Sequence, residues 1–294
     1  MMIRILILLL LAAAPASAQA LKQAWAPKPV AAPASSQLHW KLADLLRAHA
    51  GEKSWSQTLV RDADGLTGTY IQTAPGEVSP RRMYSDTVIL FAVQSGRLRV
   101  VIDGVEPFTA TPGILVQVPS LRFFHVETLG DAPARRFEIT QTLAPPVYAA
   151  DATPAPRPGT RYVKVGYYSP PAGYDGAKPA TDYRTDAVPD GVTDVVRDDF
   201  LSARITRGRA PHDGPGGALG GDREHFHIGA SETWLVLEGR VRYRIEGRPD
   251  IVAEPGDIVH APAGLRHASR FAGNGTAAQL SILPVADALE AFAP

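Results

Sequence analysis

The stretch GRVRYRIEG, residues 239–247, decides the fold because it repeats an earlier stretch, GRLRVVIDG, residues 96–104. The match continues beyond these two stretches. A glycine follows the end of each stretch at the same distance, at 113 and 256, and a proline follows each glycine, at 119 and 262. The register holds without a gap from 96 to 119, so the chain contains two copies of one unit at a constant offset, that from Gly96 to Gly239.

The composition of both copies indicates strands. From about residue 56 onward, short apolar runs are separated by Gly, Pro and Asp, which is typical of an all-β protein. Two copies of such a unit predict an all-β fold of two jelly-roll β-barrels in tandem, with short flanking helices. We expect the N-terminal barrel over residues 56–141 and the C-terminal barrel over residues 196–285.

The segments outside the barrels are predicted from their composition. Residues 142–195 begin with a Pro/Ala-rich stretch and are expected to form a linker. Residues 19–55 are expected to form a flexible lead and a short helix around Leu42. Residues 286–294 are expected to form a short C-terminal helix or tail.

Residues 1–18 have the features of a secretory signal peptide. Arg4 supplies positive charge, residues 5–14 are apolar, and Ala16-Ser17-Ala18 is a small-residue cleavage site. The apolar run is shorter than the roughly 20 residues that a spanning helix needs. We therefore expect cleavage after Ala18, export to a bacterial periplasm and no membrane attachment afterwards. An uncleaved anchor is the alternative.

Charge and cysteine content narrow the function classes. Lysine plus arginine equals aspartate plus glutamate, at 30 each, so no basic field favours nucleic acid as a partner. The chain has no cysteine, which excludes disulfides, thiol nucleophiles and cysteine-based metal sites. Any metal must rest on histidines and carboxylates. The expected partner is a small-molecule ligand or substrate, and a homodimer is compatible with the sequence.

Four residues have the pattern of a metal site. Because side chains alternate along a strand, His225 and His227 share one face, and Glu232 follows after a short turn. His267 comes just after a Pro-x-Gly turn in a second strand-like segment. If adjacent strands bring it beside the pair, three imidazoles and one carboxylate converge. Such a set suits one divalent transition metal, with Fe, Mn, Cu, Ni and Zn all open.

These residues also carry a family resemblance. His225-x-His227, four residues, Glu232, six residues and a glycine resembles the first cupin motif. Gly256, five residues, Pro-x-Gly, two residues and His267 resembles the second. Through the internal repeat the chain resembles a bicupin. The resemblance implies a small antiparallel barrel in each half and a metal inside the mouth of the C-terminal one. Glu232 is either a ligand, a base beside the metal or uncoordinated.

The N-terminal copy lacks these ligands. Counting by the repeat, the four ligand positions hold Arg82, Tyr84, Ile89 and Phe124, which cannot build the same site. A small insertion that brings in Asp86 and His125 is the alternative. We expect this barrel to serve packing, dimerisation or pocket shape.

Other residues are candidates for contact with a substrate. By alternation, Trp234 faces the barrel interior with Glu232, and Tyr243 faces inward on the next strand; core packing is the plain alternative for Trp234. Arg223 is positioned to hold a carboxylate, or it is a solvated loop charge. His260 is a candidate for a group that supports the ligands, or it has a core or surface role.

Three functions remain open from the sequence. The resemblance implies a metal-dependent dioxygenase, decarboxylase, isomerase or related lyase, and the pentapeptide REHFH is faintly similar to the oxalate decarboxylases. A non-catalytic periplasmic binding protein for a small organic acid or sugar is the second hypothesis. A barrel that the metal only braces is the third.

Overall fold

The computed structural model shows a nearly all-β chain. It describes residues 21–27, 37–62, 65–142, 144–152, 154, 159–168, 179–184, 188–197, 201–209, 224–284 and 290–292. The predicted signal peptide and its cleavage site lie outside the described residues. Within them, no helix has the length and hydropathy of a membrane span.

The elements of the N-terminal half are mostly short strands. They are β1 (Leu21–Pro27), β2 (His39–Trp40), α1 (Leu42–Ala48), β3 (Trp55–Arg61), β4 (Leu66–Thr73), β5 (Arg82–Met83), β6 (Ile89–Ser95), β7 (Arg97–Ile102), β8 (Phe108–Ala110), β9 (Ile114–Val118), β10 (Phe124–Leu129), β11 (Ala134–Gln141) and β12 (Val147–Ala149).

The C-terminal half continues with strands of similar length. They are β13 (Tyr162–Tyr168), β14 (Ala180–Asp182), β15 (Gly191–Arg197), β16 (Ser202–Arg209), β17 (His225–His227), β18 (Glu232–Glu238), β19 (Arg240–Ile245), β20 (Ile251–Ala253), β21 (Ile258–Ala261), β22 (His267–Ala272), β23 (Thr276–Leu283) and β24 (Glu290–Phe292).

The strands form two pairs of sheets, and their pairings are antiparallel. The N-terminal pair has the strand orders β13-β1-β12-β5-β10-β7-β8 and β14-β9-β6-β11-β4-β3. The C-terminal pair has the orders β15-β16-β23-β18-β21-β2 and β20-β19-β22-β17-β24. Two facing sheets in each half make the two jelly-roll barrels that the sequence predicts.

The internal repeat extends well beyond the sequence match. The offset from Gly96 to Gly239 also separates β8 from β20. It relates their first residues, Phe108 and Ile251, and their last residues, Ala110 and Ala253. The same offset relates two ladder pairs: Arg82 lies opposite Phe124, and His225 lies opposite His267. The pairing register therefore has the same offset as the counting, over a span that includes His225 and His267.

The turn at Gly96 and Gly239 requires glycine in both copies of the repeat. Gly96 and Gly239 both have positive φ, 74° and 64°, at the sharp turn where the chain passes from one sheet of the barrel to the other. A Cβ on Gly96 would lie 2.6 Å from the carbonyl oxygen of Pro133, and one on Gly239 would collide with the carbonyl of Thr276. Both conformation and space require glycine at this turn.

A shared core joins the two halves. One apolar cluster contains buried side chains of both, including Tyr70 and Phe137 from the N-terminal half and Leu235, Leu280 and Ile282 from the C-terminal half. Because side chains alternate along β18 and β23, Leu235, Leu280 and Ile282 point away from the interior of the C-terminal barrel. The opposite faces of the same strands are therefore left to line the C-terminal barrel.

The segments predicted as flexible lead, linker and tail contribute strands. Strand β1, in the predicted lead, pairs with β12 and β13. Four strands that begin in the predicted linker, β12, β13, β14 and β15, join sheets. Strand β24, in the predicted tail, pairs with β17. The helix begins at Leu42, where the backbone N–H donates to the Asp257 carboxylate at 2.8 Å, and the preceding residues form β2 on the C-terminal barrel.

Candidate metal centre

Three strands bring the four predicted ligands together. His225 on β17 lies directly opposite His267 on β22, and Glu232 begins β18 in the facing sheet. The Pro-x-Gly turn is tied to β17, because the backbone N–H of Gly264 donates to the carbonyl of His227 at 2.8 Å. The ligand atoms of the four residues all lie within 4.8 Å of one another.

The site is closed to bulk water. His225, His227, Glu232 and His267 are each at most 2% exposed. The Nε2 atoms of His267, His227 and His225 lie 3.0, 3.2 and 3.7 Å from Glu232 Oε2. Burial alone would raise the pKa of the Glu232 carboxyl, but the three imidazoles outweigh it and hold this pKa well below its usual range. The carboxylate is therefore an anion.

Two further contacts orient the ligands. His267 Nδ1 lies 2.9 Å from the carbonyl oxygen of Leu265, and because a carbonyl only accepts, Nδ1 carries the proton. Nε2 of His267 is then the ring nitrogen that would face a metal at the centre. The hydroxyl of Ser281 donates to Glu232 Oε1, so Oε2 is the oxygen that faces the histidines.

This donor set fits a divalent transition metal. Neutral imidazole nitrogens suit zinc, copper, iron and nickel, and the single carboxylate reduces the charge of the site. The four side chains are preorganised by strand pairing and by the Leu265 and Ser281 contacts. The chemistry of the donors does not choose among Fe, Mn, Cu, Ni and Zn.

The barrel interior beside the centre is aromatic and polar. Trp234 is fully buried, and its ring centroid lies 5.2 Å from that of His267 and 5.2 Å from that of Tyr243. The Tyr243 hydroxyl donates to Gln279 Oε1 at 2.7 Å, and Gln279 Nε2 donates to Ser269 Oγ at 2.7 Å. Trp234 and Tyr243 thus lie inside the barrel, as the alternation predicts.

The structure does not bring His260, His125 or Asp86 to the centre. His260 Nδ1 lies 2.9 Å from Thr233 Oγ1, and both residues are on the strand faces turned away from the ligands. Arg223 lies outside the described residues. His125 contacts Glu127 at 3.3 Å, and Asp86 accepts from its neighbour Ser85.

Sequence reasoning missed three polar residues of the interior: Gln279, Ser281 and Ser269. The signal was present for Gln279 and Ser281, since the apolar strand TAAQLSIL carries both of these polar side chains at alternate positions. Period-two polar residues on one face of an otherwise apolar strand indicate a lined interior. In the N-terminal half, Arg136 and Glu138 show the same alternation.

The comparisons with known proteins agree with this geometry. Residues 213–283 match the family model described as Cupin domain, which includes all four ligand positions. A search of curated protein sequences finds no match.

Solved structures extend the likeness to most of the chain. A cupin 2 conserved barrel domain protein from Leptotrichia buccalis has a TM-score of 0.58 at 13% identity, covering 86% of this chain and 100% of that one. Oxalate decarboxylase from Bacillus subtilis at pH 4.6 has a TM-score of 0.54 at 12% identity, covering 88% and 79%. At these identities the likeness shows the fold. The family match itself covers residues 213–283.

Proposed function

We propose that this chain is an exported bicupin and a metal-dependent enzyme that acts on a small organic acid in its C-terminal barrel. The reaction is of the dioxygenase, decarboxylase or isomerase type. The observation that carries the proposal is the convergence of three buried imidazoles and one buried carboxylate on one point. The oxalate decarboxylase neighbours support the choice of substrate class.

Charge also favours an acid as the substrate. A divalent cation held by three neutral imidazoles and the Glu232 carboxylate leaves a net charge of +1 in a water-poor barrel. Such a charge attracts a carboxylate ligand strongly, because the low local dielectric screens it little. When bound, the metal supplies Lewis-acid or redox chemistry. His225, His227, His267 and Glu232 would hold it.

The interior wall provides further recognition. The indole Nε1 of Trp234 is buried and has no hydrogen-bond acceptor among the described residues. Its ring is packed against His267, so a molecule bound at the centre lies within its reach. We infer that Trp234 donates to the substrate, whereas Tyr243 is held by Gln279 and shapes the wall.

A binding protein without catalysis is the second candidate. Tyr243, Gln279 and Ser269 bond one another, and none of them is a base at neutral pH. A metal centre that captures an acid without turnover is consistent with that wall. Turnover separates the two candidates, because a binder would show only stabilisation by its ligand.

Elemental analysis tests the metal centre. The mature protein, residues 19–294, should hold about one equivalent of a transition metal, and His267→Ala should lose it. His125→Ala is the matched control, since His125 follows Phe124, the N-terminal counterpart of His267. No metal in the wild type after reconstitution with each of the five ions would refute the metalloenzyme.

Activity and export need separate measurements. The metal-loaded protein should consume O₂ or release CO₂ with at least one of a panel of small carboxylic acids that includes oxalate, and His267→Ala should not. Ligand-dependent stabilisation without product would favour the binding protein. If export is correct, the mass of the protein recovered from a periplasmic extract should correspond to a chain that begins at Gln19.

A further inference from the structure

A polar cleft lies in the N-terminal barrel. It has a volume of about 590 Å³ and is lined by residues of β3, β4, β5 and β11 and by the segment before β12. Arg82 and Tyr84 line it at the positions that His225 and His227 occupy in the other half. The cleft therefore occupies the place in this barrel that the metal centre occupies in the C-terminal one.

Two arginines share one carboxylate inside the cleft. Arg82 Nη2 donates to both oxygens of Glu138, at 2.7 and 2.8 Å, and Arg136 Nε donates to Oε2 at 3.3 Å. Arg82, Arg136 and Glu138 are 8%, 2% and 6% exposed, so all three charges are buried. The Arg82 guanidinium also lies 4.6 Å from the centroid of the Phe124 ring, so one of its faces is covered.

The shared carboxylate leaves Arg136 only partly compensated. Burial lowers the pKa of Arg136, and Glu138 does not fully offset it. Burial also opposes the charge of Arg82, but Glu138 outweighs it and the pKa of Arg82 is raised. Arg136 Nη1 is buried and has no hydrogen-bond acceptor among the described residues. Because an uncompensated buried charge is costly, this geometry favours a second anion.

The overall charge of the cleft has the same sign. Of the residues that line it, three are arginines and two are glutamates, which gives a net charge of +1. The second glutamate, Glu77, accepts from Ser54 and from the backbone N–H of Ala74, so it is engaged at one end of the cleft. One further negative charge would neutralise the cleft.

The wall beside the arginines carries hydroxyl groups. Thr67 and Thr69 on β4 line the cleft, and Thr69 lies directly across the ladder from Glu138. Thr69 shares a hydrogen bond of 3.2 Å with Thr58, another lining residue. Hydroxyl groups both donate and accept, so this wall suits a ligand that carries a hydroxyl group beside its anion.

We propose that the cleft of the N-terminal barrel binds a small hydroxycarboxylate, whose carboxylate pairs with Arg136 and whose hydroxyl group bonds the threonines of β4. A guanidinium with an available N–H edge and a carboxylate form a strong charge-assisted pair. This cleft is formed by different residues from the metal centre, lies in the other barrel and requires no metal.

Calorimetric titration with three matched small molecules tests the proposal. Lactate carries both groups, propionate lacks the hydroxyl, and lactamide lacks the charge. In chloride-free buffer at neutral pH, the mature wild-type protein should bind lactate most tightly, propionate more weakly and lactamide not detectably. Absence of lactate binding to the wild type would mean that the two arginines and Glu138 only brace the barrel, and would overturn the proposal.

Variants assign the binding to this cleft. Arg136→Gln should weaken lactate binding about tenfold or more, the range expected for loss of a charged hydrogen bond. Thr69→Val, which keeps the shape of the side chain, should weaken the binding of lactate but leave the binding of propionate unchanged. This second variant tests the proposal even if Arg136→Gln does not fold. His267→Ala should bind lactate normally. Loss of binding in His267→Ala with retention in both cleft variants would place lactate at the metal centre and refute the proposal.

Discussion

His260 should make the protein sensitive to moderate acid. The ring is 4% exposed beside the core that joins the two halves, and burial lowers its pKa from 6.5 to about 4, although Asp62 opposes the shift. The unfolded chain therefore binds a proton between pH 6.5 and 4 that the folded chain does not. Stability is full above pH 6.5 and is lost as the pH falls toward 4. Since a tenfold change in proton affinity is worth ~1.4 kcal/mol, the loss is on the order of 3 kcal/mol.

The assay is urea unfolding of metal-free protein with chelator present, at intervals from pH 8 to pH 4. Wild type should lose about 3 kcal/mol more than His260→Asn across that range, because asparagine keeps a polar contact to Thr233 without a titrating ring. The ligand histidines, Glu232 and Glu138 are present in both proteins, so their contributions cancel in the difference.

Thr233→Val separates burial from the hydrogen bond. It removes the 2.9 Å contact of His260 Nδ1 and should lower stability at every pH. The slope between pH 6.5 and 4 should remain, because burial is the main cause of the low pKa. Parallel stability curves for wild type and His260→Asn would refute the reasoning.

Two further substitutions test the turn and the ligand support. Gly239→Ala should destabilise the fold by several kcal/mol more than Gly247→Ala in thermal or urea unfolding; both have positive φ, which costs about 1–2 kcal/mol, but only a Cβ on Gly239 meets backbone. Equal losses would contradict this explanation. Ser281→Ala should weaken metal affinity about 10–100-fold in a competition assay with a chromogenic chelator, because Glu232 loses its hydrogen-bond donor, whereas Ser269→Ala should not.

The tandem fold was predictable because its signals are local and periodic. Gly96 and Gly239 mark the same turn between sheets in the two halves, and the spacing of His225, His227, Glu232 and His267 encodes their shared face and turn. These features depend on neighbours in sequence and on strand alternation. Four groups within 4.8 Å of one another are the direct consequence.

The strands outside the barrels could not be predicted in the same way. Strands β13, β14 and β24 lie at sheet edges, β1 lies between β13 and β12, and each has a partner far away in sequence. Edge pairing satisfies backbone hydrogen bonds without requiring an apolar pattern, so a Pro/Ala-rich linker gives no sign of it. The sequence did not predict which face of β21 carries the His260 side chain, for a related reason. Every residue of β21 is buried, so neither side of that strand reads as exterior.

The two barrels place a buried carboxylate at their centres from different strands. In the C-terminal barrel it comes from the first residue of β18, Glu232, supported by Ser281 on β23. In the N-terminal barrel the first residue of β6 is Ile89, and Glu138 on β11 stands at the position of Ser281. The group that faces this carboxylate also changes, since the guanidinium of Arg82 stands where the C-terminal barrel has the imidazole of His225.

That exchange changes what each barrel needs from outside. Three imidazoles and a carboxylate form a set of electron-pair donors that suits a dication. Two guanidinium groups and one carboxylate form a site that has one positive charge too many and suits an anion. The same strand register therefore creates opposite demands, which predicts that metal removal and anion removal destabilise the protein independently. The unfolding temperature should be measured with and without chelator, and with and without lactate. The chelator and lactate should shift it by amounts that add. A lactate shift that disappears when the metal is removed would contradict the separation of the sites.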